Sequence, residues 1–294
     1  MRTLKLGLAL GAGGTKGAAH VGVMKVLNEA GIPVDAIAGT SIGALYGGVL
    51  AVGRSAQEME DGIRTCPPLD VVRFFQHRLK IRHQNRLARR FYEALAGHNI
   101  EDLAVPYAAT ASDIVAHSHV ALTRGPLIDA IEASIAIPLI ARPVAHQGRY
   151  LLDGGFWECA PVDAAAQLGA DLIVAVELGT PFTLPINLRT PAGWLAQRLA
   201  GVPTHRTIAG VPFSINAFTR DLQPGRTADV VIRPSLGRVR GNSPFHMTRC
   251  LDAGIEAATE AVPAIRALLA GESPAAVARD FVAAPQLRPD PGLA

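Results

Sequence analysis

Ser41 has the setting of a nucleophile. It lies in Gly39-Thr40-Ser41-Ile42-Gly43, the G-x-S-x-G spacing of a strand-to-helix elbow. Such a turn lifts a serine clear of its sheet, and the flanking glycines keep neighbouring side chains from crowding it. The Oγ then sits at a helix N-terminus, where developing negative charge is favoured. In a chain with 29 glycines the spacing alone arises often by chance. Its context is what gives it weight: the apolar run Val34 to Ala38 precedes it and a small-residue helical pattern follows.

Two further groups suit the same chemistry. Gly11, Ala12, Gly13 and Gly14 have small or absent side chains, so their backbone N–H groups can turn inward to hold an oxyanion. The competing reading of this loop is a phosphate cradle in a nucleotide-binding α/β domain. Gly11-x-Gly13-x-x-Lys16 lacks the third glycine of that fingerprint, and the next strand ends in Gly39-Thr40-Ser41 where an acid for a ribose belongs. Asp153 follows an apolar run and precedes Gly154 and Gly155. By position alone it is a turn aspartate. Beside a serine nucleophile it becomes a candidate base, although a free carboxylate with a pKa of about 3.9 is a weak one. It needs hydrogen-bond reach and a partly desolvated pocket.

Histidine is the rival base. His205 and His246 lie downstream, so Ser41, Asp153 and His246 can be written as a triad in the order Ser, acid, His. The flanks of His246 carry nothing that marks it for this role. His20, on the helix after the first glycine turn, reads as a core residue.

The elements that must position these groups are legible around them. Leu4 to Leu10 is an apolar run that enters the glycine turn, and a helical pattern runs on to Leu27, closed by Gly31 and Pro33. Val34 to Ala38 and the elbow repeat this β-turn-α arrangement. Ser55-Ala-Gln-Glu58 is a capping box, and Pro67-Pro68 ends its helix. Pro106 to Thr123 reads as one or two strands, with turns at Ser112-Asp113 and His117-Ser118. Ile128 to Ile137 reads as a short helix, and Ala141 to Leu152 as a hairpin around Gln147-Gly148. Leu172 to Val176 has the continuous apolar character of a buried parallel strand. Asp229 to Ile232 reads as a last strand and His246 to Leu269 as a long helix.

Gly11-Ala-Gly-Gly-Thr-Lys-Gly17, Gly39-Thr-Ser-Ile-Gly43 and Asp153-Gly-Gly155 together resemble the ordered motif set of patatin-like phospholipases, in particular the bacterial branch related to neuropathy target esterase. The motifs spread over residues 4 to about 165. The resemblance implies a Ser-Asp dyad of Ser41 and Asp153 without histidine, and hydrolysis of lipid carboxylic esters without metal or cofactor. It places Lys16 at the family's basic position, where it either attracts a phosphate head group or supports the loop from outside. Glu132-Ala-Ser-Ile-Ala-Ile-Pro138 is similar to the family's Ala-Ser segment. The chain departs from the family at Cys159, where an asparagine is usual, so a catalytically weak regulatory or adaptor protein is an alternative reading. Ala12 also stands where a glycine is common, though its methyl leaves the backbone N–H available.

Composition sets the frame. Hydrophobic residues are 49% of the 294, aromatics only 5%, so the core is aliphatic and alanine-rich. The expected fold is a three-layer α/β/α with a mainly parallel central sheet in one hydrolase domain, residues 1–270. Cap or peripheral helices are expected near 55–100 and 180–226, the latter region able to hold acyl chains, and a Pro/Ala-rich tail over 271–294. A net charge of +3 is too small to suggest nucleic acid. Cys66, Cys159 and Cys250 stand far apart, which argues against a disulfide framework or a zinc site and for a cytoplasmic setting. Arg2 and Lys5 before apolar residues mimic a signal peptide, but that stretch is short and needed as a strand. No run of 18 apolar residues occurs, so membrane contact is expected to be peripheral. Its expected carrier is Arg73 to Arg90, with seven Lys or Arg and no acid. The alternative is a solvated helical face.

Overall fold

Eight strands join in one sheet: β1 (Leu6–Leu10), β2 (Ala36–Thr40), β3 (Tyr107–Asp113), β4 (Ser118–Leu122), β5 (Val144–His146), β6 (Arg149–Asp153), β7 (Leu172–Val176) and β8 (Val230–Ile232). Their order is β5-β6-β3-β2-β1-β7-β8, with β4 also paired to β3. The run from β3 through β2, β1 and β7 to β8 is parallel. β4, β5 and β6 join antiparallel at one margin. The computed structural model describes residues 4–76, 81–82, 85–116, 118–137, 141–156, 159–179, 227–237, 239 and 243–273. The region 180–226 and nearly all of the expected tail lie outside the described residues.

The strand sequences sort large and small residues onto opposite faces. Leu6, Leu8 and Leu10 of β1, with Leu172, Val174 and Val176 of β7, belong to the main core. Ala9, Ala38, Ala108 and Ala175 line the other face in a smaller cluster. Period-two alternation produces this division. The large-residue face is covered by α1 (Ala18–Glu29), α2 (Ile42–Ala51), α6 (Leu127–Ser134) and α8 (Met247–Leu269). The alanine face takes α7 (Val162–Gln167). Helices therefore flank the sheet on both sides, as its two buried faces require.

Three further helices, α3 (Ala56–Arg64), α4 (Pro68–Gln76) and α5 (Arg86–Leu95), extend the large-residue side. They contribute Met59, Ile63, Phe74 and Leu95 to the main core. The capping box at the start of α3 forms: the Glu58 N–H donates to Ser55 Oγ at 3.1 Å, and the Ser55 N–H donates to Glu58 Oε2 at 2.9 Å. Gln147 and Gly148 both take positive φ, 47° and 78°, the geometry of a tight hairpin turn between β5 and β6. One expected turn is absent. Ser112 and Asp113 lie inside β3, paired with β4 and β6, because the ladder continues through them and bends only afterwards. There Asp113 Oδ1 accepts the N–H groups of Val115 and Ala116.

Candidate active site

β3 is the splint on which the site is assembled. Thr110 pairs with Thr40 of β2 and with Ala121 of β4; the next residue, Ala111, pairs with Asp153 of β6 and with Val120 of β4. A strand residue has one neighbour per edge, so β2 and β6 occupy the same edge of β3 in succession. β2 runs parallel to β3 and β6 antiparallel, so their carboxyl ends meet. Ser41 follows the last residue of β2 and Asp153 is the last residue of β6. Ser41 Oγ donates to Asp153 Oδ2 at 2.5 Å across 112 residues of sequence.

The elbow at Ser41 has the backbone that its spacing predicts. Ser41 sits at φ 56° and ψ −122°, a sparsely populated region for a residue with a side chain. Close packing explains the flanking glycines. A Cβ on Gly43 would stand 2.1 Å from the Leu10 carbonyl oxygen, and one on Gly39 would stand 2.4 Å from the Ala44 nitrogen. The turn is pinned from outside as well. The Ser41 N–H donates to Ser134 Oγ at 2.8 Å, and Ser134 Oγ donates to the Thr110 carbonyl at 2.7 Å. Ser134 lies in the segment whose resemblance to the family is noted above, but only the folded chain reveals its contact with Ser41.

Asp153 is buried, 4% exposed. Burial raises its pKa from 3.8 to about 6, against the opposing pull of its bonds from Ser41 Oγ and the Gly155 N–H. That N–H donates to Oδ1 at 2.8 Å, which leaves Oδ2 to the serine. No histidine stands between the pair. His246 is exposed on the short turn Pro244–His246, and His205 lies outside the described residues.

The glycine turn after β1 narrows the set of candidate oxyanion donors. The Gly11 N–H donates to the Val176 carbonyl at 3.0 Å and the Ala12 N–H to the Cys159 carbonyl at 2.7 Å. Those two, expected as donors, are committed to holding the loop in place. Gly13 and Gly14 keep theirs at the start of the 3-10 turn Gly14–Gly17, where the helical pattern supplies no acceptor. Cys159 thus joins the loop through its backbone carbonyl, a contact that needs no asparagine side chain. His20 Nε2 donates to the Gly11 carbonyl at 2.7 Å, and Nδ1 has no partner. Full burial lowers the His20 pKa to about 4, so the ring is neutral and fixes the loop rather than carrying protons. Its sequence reading as a core residue holds for its burial and misses this bond.

Ser41 opens on an apolar cavity of about 300 Å³. Gly14, Thr15 and Ile137 line it together with residues of α2, α3, α4 and α5. Tyr46 and Phe74 both meet the ring of Phe91, with centroids 6.2 and 6.0 Å apart. Lys16 is not part of the lining. Its Nζ donates to the Leu178 carbonyl at 3.4 Å, which favours support of the loop over contact with a head group.

The basic segment Arg73 to Arg90 finds acids that its own sequence lacks. Arg73 and Arg86 share buried Asp70 at 3.9 and 4.0 Å. Arg82 reaches Asp129 at 2.7 Å and Glu132 at 3.3 Å, and Arg89 pairs with Glu93 at 2.7 Å. Arg78 and Lys80 lie outside the described residues. Among the described residues no cluster of His, Cys, Asp or Glu is placed to hold a metal ion, and no helix is long and apolar enough to cross a membrane.

Residues 8–166 match the family described as patatin-like phospholipase. An uncharacterised NTE family protein of Mycobacterium tuberculosis is 37% identical over 197 residues, covering 65% of this chain and 54% of that protein. Neuropathy target esterase of Drosophila melanogaster is 32% identical over 184 residues, 60% of this chain but 13% of its own length. The chain thus spans about half the length of the mycobacterial relative. VipD from Legionella pneumophila superposes with a TM-score of 0.52 at 15% identity, over 89% of this chain and 67% of VipD, a likeness of fold. The family match takes in more than half of the 294 residues and holds the glycine turn, Ser41 and Asp153 together; the chain belongs to the patatin-like phospholipase family.

Proposed function

We propose that this chain is a serine hydrolase of lipid carboxylic esters, with Ser41 as nucleophile and Asp153 as its base. The observation that carries this reading is the 2.5 Å bond from Ser41 Oγ to a buried carboxylate, on a strained elbow facing an apolar cavity. Asp153 takes the Ser41 proton as Oγ attacks the acyl carbonyl. The carbonyl oxygen, now an anion, accepts the N–H groups of Gly13 and Gly14, joined by that of Ile42 in the first turn of α2. Burial helps this step, since a desolvated carboxylate gains by becoming neutral. The protonated Asp153 then gives its proton to the leaving alcohol. Water attacks the acyl-enzyme with Asp153 again as base, and Ser41 is restored.

Support also comes from the family match and from the cavity, whose lining suits an acyl chain. Hydrolysis of p-nitrophenyl esters by wild type, Ser41→Ala and Asp153→Ala tests the reading. Loss of activity in both variants with retained circular dichroism is the expected result. A wild-type chain that hydrolyses no ester and takes no fluorophosphonate label supports the adaptor reading instead.

Peripheral contact with an anionic lipid surface through the 73–90 segment belongs to this reading. The internal ion pairs of Arg73, Arg82, Arg86 and Arg89 limit the charge it can offer. Flotation with phosphatidylglycerol vesicles at rising salt tests it: binding that is absent at low salt removes this contact.

A further inference from the structure

The helix that follows Ser41 gives the adjoining cavity a length scale. α2 begins directly after the serine, and its residues Ile42, Leu45, Tyr46 and Val49, three or four apart, line the cavity along one side. At 1.5 Å per residue, the path from Ser41 to Val49 is about 12 Å. An extended chain advances roughly 1.2 Å per bond, a third of the 3.6 Å that an extended residue spans. The path therefore holds about ten bonds.

The lining is not apolar throughout. Beyond the end of α2 stands Arg54, paired with Glu58 at 3.8 Å, with side chains 50% and 59% exposed. Glu93 and Arg90 of α5 supply further charge to the wall. Solvated charges give no gain to additional methylenes, so the apolar path ends there.

Gly62 of α3 also faces the cavity. A Cβ built on it meets nothing within 4 Å, and its backbone carries no positive φ. Neither close packing nor backbone geometry requires glycine at this position, and a helix-interior glycine is less stable than a larger residue.

We propose that the site selects medium-length acyl chains, about eight to twelve carbons by the length argument above, and that Gly62 keeps the wall open for them. This rests on the hydrolase reading of Ser41 and Asp153. The test uses all 294 residues, p-nitrophenyl esters from two to sixteen carbons, and the variants Gly62→Leu and Gly62→Phe. For wild type, kcat/KM is expected to rise by up to about fourfold per methylene, to peak near ten carbons, and to level or fall beyond. In the variants the peak moves to shorter chains, read as a fall of about tenfold in the ratio of kcat/KM for the ten-carbon ester to that for the two-carbon ester. A wild-type profile still climbing at sixteen carbons, or a peak unmoved in both folded variants, overturns the proposal. Calorimetric binding of straight-chain alcohols to Ser41→Ala reads the same length without turnover. If no ester is hydrolysed but alcohol affinity peaks near ten carbons and shifts in Gly62→Phe, the hydrolase reading fails and the length selection stands. Affinity indifferent to chain length and to Gly62→Phe overturns the selection whatever the esters do.

Discussion

The backbone N–H of Ser41 donates to Ser134 Oγ at 2.8 Å, so a side chain of α6 holds the strained peptide that presents the proposed nucleophile. Such backbone strain costs on the order of 1–3 kcal/mol and persists only where its surroundings enforce it. Ser134→Ala leaves that buried N–H without a partner, at about 1–3 kcal/mol of stability. The expected outcome is a lower Tm together with a kcat loss of about ten- to a hundredfold at little changed KM. Steady-state kinetics beside a thermal melt checks it. Full kcat in the variant would show that the elbow holds itself.

In the proposed mechanism Asp153 must be ionised to accept the serine proton. With its pKa raised by burial to about 6, kcat/KM should climb with pH through that value and reach a plateau above pH 7. A pH–rate profile on a short ester reads this directly, and a midpoint near 4 would contradict the burial argument.

The same shift makes a stability statement. The folded state binds the Asp153 proton more tightly than the unfolded chain, so the carboxylate destabilises the fold as pH rises from 3.8 to about 6. Above that window the cost is about 3 kcal/mol, at roughly 1.4 kcal/mol per pKa unit. Asp153→Asn removes the titration. It should be inactive yet more stable than wild type at pH 7, with the advantage vanishing near pH 4. Denaturant melts of both proteins at the two pH values decide it.

His20 acts in the opposite sense. Its folded pKa of about 4 lies below the ordinary 6.5, so the unfolded chain takes up the proton first and stability is lost as pH falls through that window. His20→Gln keeps a donor for the Gly11 carbonyl without a titrating ring. It should flatten the acid side of the stability profile and retain much of kcat, whereas His20→Ala lowers kcat by about tenfold or more, the scale of a misplaced oxyanion donor. Equal kcat in the two variants would separate the loop from this bond.

Glu132 ties the cap to α6. Its Oε1 accepts the N–H of Ile81 at 2.9 Å and of Arg82 at 3.3 Å, and Oε2 accepts from the Arg82 guanidinium. Glu132→Ala should cost about 1–3 kcal/mol by orphaning these donors. It should also reduce hydrolysis of ten-carbon esters more than of two-carbon esters, since α4 and α5 wall the cavity. An unchanged length profile would disconnect Glu132 from the cavity.

Much of this protein was legible in local sequence rules. The buried strand Leu172–Val176, the capping box at Ser55, the turn at Gln147-Gly148 and the elbow at Ser41 each follow from residue types within a few positions of one another. The alternation of leucine with alanine and glycine in β1 even divides a large core face from a small one. Tertiary structure decided what lies beside what. Strand pairing uses backbone groups that every residue shares, so no residue of β6 announces that it continues the edge of β3 where β2 stops. That adjacency alone brings Asp153 to Ser41. Long-range backbone bonds to Val176 and Cys159 likewise remove two of four possible oxyanion donors, and acids from α6 and the start of α4 answer arginines that looked unopposed. Periodicity reports which face of an element is buried; the partner on that face, and on each strand edge, is fixed only when the chain closes on itself.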